Sequence, residues 1–186
     1  MNQGRDVHYR HNTFVRPAQR PYSRPPYVYG GHRYYAHHPY GYHPYRPFFF
    51  GPRFHPFGAF LPSLAATAIF LDIADTQYAY DQGTWYAPVD GGYDVVTAPV
   101  GAQIATLPSD AEQVAPDVYY YGGAYYQAVD GGYQVITPWA GLVVSQLPPG
   151  GEDVVIGAQH YVRFGSTYYQ PIIVDGQSKY EVVEVR

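Results

Sequence analysis

The sequence predicts an all-β protein built of tandem antiparallel hairpin or meander repeats, with a small SH3-like barrel as the closed alternative, one short helix and a disordered N-terminal head. Three observations carry this expectation. A block of the chain returns after 40 residues without a gap. Glycine pairs interrupt aromatic runs at matching places in the copies. The first 56 residues are dense in Pro, Tyr, Arg and His and almost empty of aliphatic side chains.

The head, residues 1–56, holds eight arginines against the single acid Asp6. Proline at its density breaks helices and central strands. With little to bury, such a segment does not offset its ordering entropy and is expected to be extended or disordered. Its histidines are His8, His11, His32, His37, His38, His43 and His55. Neutral imidazole is the commonest metal ligand, so His37, His38 and His43 are the candidate site for Ni, Cu or Zn. The plainer reading is a composition-biased solvated tail. The first 30 residues carry five arginines and no apolar run, so they do not read as a signal peptide with a hydrophobic core.

Residues 57–75 change character to an apolar, alanine-rich run. Pro62 suits a first helical turn and Ser63 to Ala74 contain good helix formers, which predicts the short helix. The uncharged stretch Pro56 to Leu71 is sixteen residues, whereas a spanning helix wants about 20. A packed or interfacial helix is the main reading, and membrane contact through 57–73 is the alternative, favoured by the basic flank.

From residue 76 the chain reads as a repeat module of three copies, about 78–110, 119–150 and 160–186. Trp85 to Thr97 superposes on Tyr125 to Thr137, and Phe164 to Gln170 echoes Tyr121 to Gln127. Gly122-Gly123 is a two-residue hairpin signal and Asp130-Gly131-Gly132 a second turn. Counting outward from the first places Tyr121 opposite Ala124 and Tyr120 opposite Tyr125; the same count puts Tyr80 opposite Trp85 and Arg163 opposite Tyr168, each contributing about 1 kcal/mol. Beyond Pro56 only Arg163, Lys179 and Arg186 face fourteen acids, so basic head and acidic module attract one another or neighbouring copies.

These residues resemble a family of uncharacterised bacterial envelope proteins of unknown function, rich in Tyr and Gly. In that family Tyr-Tyr-Tyr-x-Gly-x-Tyr-Tyr and Pro-x-Gly-x-x-Val-x-x-Leu-Pro recur. The resemblance covers residues 57–186 and closes on Tyr180 to Val185. It implies a cell-envelope location, periplasmic or outer-membrane associated and with a membrane anchor as an option, and a leader removed from this form of the chain. It brings no activity and no site.

The function classes narrow by exclusion. There is no cysteine, which removes disulfides, thiolate nucleophiles and zinc-thiolate sites. Gly-x-Ser-x-Gly, His-Glu-x-x-His and phosphate-loop motifs are absent, and His160 is the only imidazole of the repeat module, so no enzyme and no cofactor are expected. Asp90-Gly91-Gly92-Tyr93-Asp94 hints at a calcium loop, but Gln134 replaces Asp94 in the second copy and turn formation explains both. Arg–Tyr interleaving suits nucleic acid only weakly beside an acidic module, so none is expected. The candidate binding surface is an exposed aromatic face drawn from Trp85, Tyr86, Tyr120, Tyr125, Tyr126, Trp139, Tyr168 and Tyr169, whose amphipathic rings suit envelope glycan, peptidoglycan or protein. The alternatives are a periplasmic metal-handling protein using the His-rich head and a self-assembling matrix subunit.

Overall fold

The computed structural model describes residues 22–186. Among them there is no helix; all regular structure is antiparallel strand. The chain opens with a small hairpin, β1 (Tyr27–Tyr29) and β2 (His32–Tyr35). Three five-stranded units follow. The first is β3 (Phe60–Leu61), β4 (Ile69–Ile73), β5 (Thr76–Asp81), β6 (Thr84–Val89) and β7 (Gly92–Val96). The second is β8 (Gln103–Ile104), β9 (Glu112–Ala115), β10 (Val118–Tyr121), β11 (Ala124–Val129) and β12 (Gly132–Ile136). The third is β13 (Val143–Val144), β14 (Glu152–Ile156), β15 (Gln159–Phe164), β16 (Thr167–Val174) and β17 (Gln177–Val185).

Each unit is a four-strand meander whose short first strand returns to pair with the last, in the order β3-β7-β6-β5-β4 for unit one. That order leaves β3 and β4 at opposite ends, with no strand pair closing the unit into a full barrel. The first strand is anchored identically in all three: Gly58, Gly101 and Gly141 donate their N–H to Val95, Val135 and Val182 O at 2.9, 2.9 and 3.0 Å. The hairpin register matches the turn count, with Tyr80 opposite Trp85, Tyr120 opposite Tyr125 and Arg163 opposite Tyr168. Arg163 also bonds the carboxylate of Glu152, its cross-strand partner on β14.

The glycines of Asp-Gly-Gly divide the work. Gly91 and Gly131 take the left-handed conformation the turn needs, at φ 80° and 82°. Gly92 and Gly132 instead leave room for the first strand, since a Cβ there would run into the carbonyl of Leu61 or Ile104. In unit three the hairpin is longer, and β13 meets β17 at Tyr180 and Glu181, away from its turn. Gln177 then stands where the second glycine would be.

Two expectations are corrected here. Residues 57–75 form no helix; they are β3, the connecting loop and β4. Leu64, Ala65 and Ala68 are good helix formers, but the loop they make closes with Ala68 N–H on Ala65 O at 3.0 Å, as Ala111 N–H closes on Pro108 O at 3.1 Å in unit two. Tertiary pairing of Ile69, Phe70, Leu71 and Ile73 with β5 overrides the local propensity. No described helix is long and apolar enough to cross a membrane. The second correction concerns the head. Residues 1–21, with His8 and His11, lie outside the described residues, but residues 22–56 are packed. The hairpin β1–β2 joins the sheet of unit three through β17, with Arg33 and Arg186 exchanging backbone hydrogen bonds at 2.8 and 3.0 Å.

Residues 36–56 then run as an extended strap across the units. Gly41 N–H donates to Pro171 O at 3.0 Å and Phe48 N–H to Leu147 O at 2.8 Å; Tyr121 donates its hydroxyl to Phe50 O at 2.7 Å. At its start the strap is pinned by Glu181, whose carboxylate is fully buried and accepts the N–H groups of His37 and His38 at 2.6 and 2.9 Å. Aromatic burial and charge-assisted hydrogen bonds replace the aliphatic core that the strap lacks, and they offset its ordering entropy.

The main core lies between the units and sets seven buried tyrosines among a larger number of Val, Ile, Leu and Ala side chains. Equivalent rings relay from one copy to the next: Trp85 Nε1 donates to the Tyr126 hydroxyl at 2.9 Å, and the Tyr125 and Tyr169 hydroxyls are 2.9 Å apart. The next ring in that series, Tyr168, meets Tyr34 of the hairpin edge-on at 6.1 Å, so β1–β2 stands where a fourth copy would.

A candidate binding cleft at the first junction

The structure does not present the eight candidate rings as one exposed face. Trp85, Tyr86, Tyr120, Tyr125, Tyr126 and Tyr169 are buried, while Trp139 and Tyr168 are half-buried. The expectation of a ligand-facing aromatic surface is corrected: Trp85 and Tyr125 bond Tyr126 and Tyr169 across the unit boundaries, Tyr86 packs inside unit one, and Tyr120 lies under Phe50 of the strap. Nor do the candidate metal ligands converge. His37 and His38 carry the backbone N–H groups held by Glu181, and the His43 ring lies 2.7 Å from Lys179 O. Among the described residues no three metal-ligating side chains come together.

What the structure does form is a cleft of about 500 Å³ where units one and two meet under the strap. Unit one supplies Thr67, Ile69, Tyr80 and Asp81; unit two supplies Thr106, Ser109, Asp110 and Tyr121; the strap supplies Phe50, Arg53 and Phe54. The polar groups are partly organised. Thr67 donates its hydroxyl to Asp81 Oδ1 at 2.8 Å and Arg53 reaches Thr67 Oγ1 at 3.5 Å. Asp81 is buried, whereas Asp110 is exposed at the rim. The Tyr80 hydroxyl is buried and its proton finds no acceptor among the described residues. Burial raises the Tyr80 pKa, and burial followed by the Asp110 carboxylate pushes Tyr121 up to about 12. Both phenols therefore stay neutral hydrogen-bonding groups at any physiological pH.

The second junction shows why the first is open. There Glu112 of β9 accepts both the N–H and the hydroxyl of Ser145, at 2.9 and 2.7 Å. Strap residue Tyr45 fills the groove, donating its hydroxyl to Pro148 O, accepting from Gly151 N–H at 3.3 Å and lying edge-on to Phe164 at 6.4 Å. At the first junction the positions equivalent to Glu112 and Ser145 are Ile69 and Ala105, so the tie is missing. The sequence pattern of the repeat conceals these cleft residues. The only clue lies where the copies depart from one another, as at Ile69 against Glu112 and Glu152, or Asp81 against Tyr121.

A second, more apolar cleft of about 260 Å³ gathers the three hairpin tips at Gly83, Gly123 and Gly165 around Trp85, Pro148 and Phe164.

Comparison with known families matches the chain to the Family of unknown function (DUF6515) over residues 12–186. No curated protein and no solved structure matches it.

Proposed function

The chain belongs to the DUF6515 family of unknown function, and from that premise we propose that it is a non-enzymatic binding module of the bacterial cell envelope that contacts glycan or peptidoglycan through the cleft at the first junction. The observation that carries this reading is the composition of the cleft: aromatic faces from Phe54, Tyr80 and Tyr121 beside carboxylate, guanidinium and hydroxyl groups from Asp81, Asp110, Arg53, Thr67 and Ser109. Sugars offer C–H faces that stack on rings and hydroxyls that need both donors and acceptors, so a glycan site wants this mixture. Where the chain fills the equivalent groove with its own Tyr45, the partners are apolar side chains and backbone groups instead. That contrast favours a polyhydroxylated ligand over a peptide at the first junction.

Asp81 is tied to Thr67 and serves as an acceptor for ligand hydroxyls, while Asp110 and Arg53 read the rim. The test is co-sedimentation of the full chain with purified sacculi and with envelope polysaccharide. Retention that falls at least tenfold in Phe54→Ala and Asp110→Ala, with the melting transition unchanged, supports the site. Retention no greater than that of an unrelated acidic protein defeats the reading.

A further inference from the structure

Among the described residues, two strand edges pair with no other strand and expose large apolar side chains, and they are complementary in charge. β4 ends the sheet of unit one and β1 ends the sheet of unit three. Proteins normally guard such edges with charged residues or a covering segment, because unpaired N–H and C=O groups recruit other strands. The edge strands equivalent to β4 are guarded. β14 begins Glu152-Asp153, and β9 begins with Glu112, which is tied down by Ser145 of the next unit. β4 begins Ile69-Phe70 at those positions, with the two side chains 46% and 52% exposed. β1 is Tyr27-Val28-Tyr29, with Val28 58% and Tyr29 53% exposed.

We propose that these edges are the two halves of one interface, and that copies of this chain associate head to tail by adding β1 of one molecule to β4 of the next. A second copy is chosen over other partners by charge. β4 and its turn carry Asp72 and Asp75, both exposed, whereas β1 is flanked by exposed Arg24 and Arg33. Pairing β4 with itself would instead set two acidic edges side by side with no counter-charge. A β4 to β1 contact leaves a free β1 and a free β4 at its ends, so it is heterologous and propagates into open chains and not closed dimers. Inside the molecule the same logic already operates: the β1–β2 hairpin adds to β17, extending the sheet of unit three from a distant part of the sequence. This goes beyond the glycan reading, and of its residues only Ile69 also lines the cleft, so Val28→Glu is the variant that tells the two apart.

The absence of cysteine makes the test direct. Single variants Val28→Cys and Phe70→Cys of the full chain are oxidised alone and as a mixture. Disulfide-linked pairs formed at least tenfold faster in the mixture than in either variant alone are expected, together with sedimenting oligomers that dissolve as salt rises from about 0.1 to about 1 M and the screening length shrinks from about 10 to about 3 Å. Val28→Glu should abolish the oligomers while sacculus binding persists, which separates this inference from the glycan site. Ile69→Glu, which copies the residue of the other two units and is therefore compatible with the fold, should do the same to the oligomers. Cross-linking of Phe70→Cys with itself, or a monomer at every concentration and salt, overturns the proposal.

Discussion

The two junctions of this molecule are made of equivalent strands and yet behave as opposites. At the second, a glutamate–serine tie and a strap tyrosine close the groove; at the first, isoleucine and alanine stand in for the tie and a cleft remains. A tandem repeat reuses its packing solution, so the conserved part of each copy builds the core and the divergent part builds the surface that does something. The rings repeated most faithfully, Trp85, Tyr125, Tyr86 and Tyr126, are the structural ones here.

Alkali provides the largest perturbation and ranks the junctions. The buried phenols have folded pKa values above the unfolded value near 10, so the stability they support is complete below that pH and is lost as pH climbs through the folded values. Tyr121 at the cleft, about 12, should ionise before the fully buried Tyr120, Tyr125 and Tyr169 of the second junction. Absorbance of tyrosinate is expected to rise first near pH 10 for exposed rings and again, together with loss of the fold, above about pH 12. A single smooth titration near 10 would show that the rings are not buried.

Next in size is Glu181→Ala. It strips two backbone N–H groups of their carboxylate and should cost about 3 kcal/mol in denaturant unfolding. Because it frees the start of the strap, it should also expose residues 36–56 to protease and make the second junction resemble the first. Protection equal to wild type would mean that the strap is held elsewhere.

Tyr126→Phe leaves the Trp85 indole N–H buried without its acceptor, and a loss of about 1–2 kcal/mol is expected, measured as a shift of the chemical midpoint at unchanged slope. Smallest is the transplant Ile69→Glu with Ala105→Ser, which installs the tie of the second junction in the first. A gain of about 0.5–1 kcal/mol and weaker sacculus binding are the expected results. Stronger binding would argue that the missing tie has nothing to do with the ligand.

Much of the fold was legible because turn chemistry is local. Gly122-Gly123 and Asp130-Gly131-Gly132 set the hairpins, and every cross-strand pair counted from them is present. The first unit was harder to read, since its alanine-rich loop imitates a helix start and its β4 lacks the glutamate that marks the other copies. The cleft was legible only as scattered departures between the copies. Arg53, Thr67, Asp81 and Asp110 are scattered along the chain and have no common motif.

By itself the sequence determined the all-β class, the repeat and the hairpin register, because hydrogen-bonded turns depend on residues adjacent in the chain. Only the tertiary structure decided which rings lie inside, that the strap is ordered by Glu181, and that one junction opens while the other is filled. Those outcomes depend on faces contributed by segments some forty or more residues apart, as in the Trp85–Tyr126 and His37–Glu181 contacts, and burial is a property of such pairs and not of either partner alone.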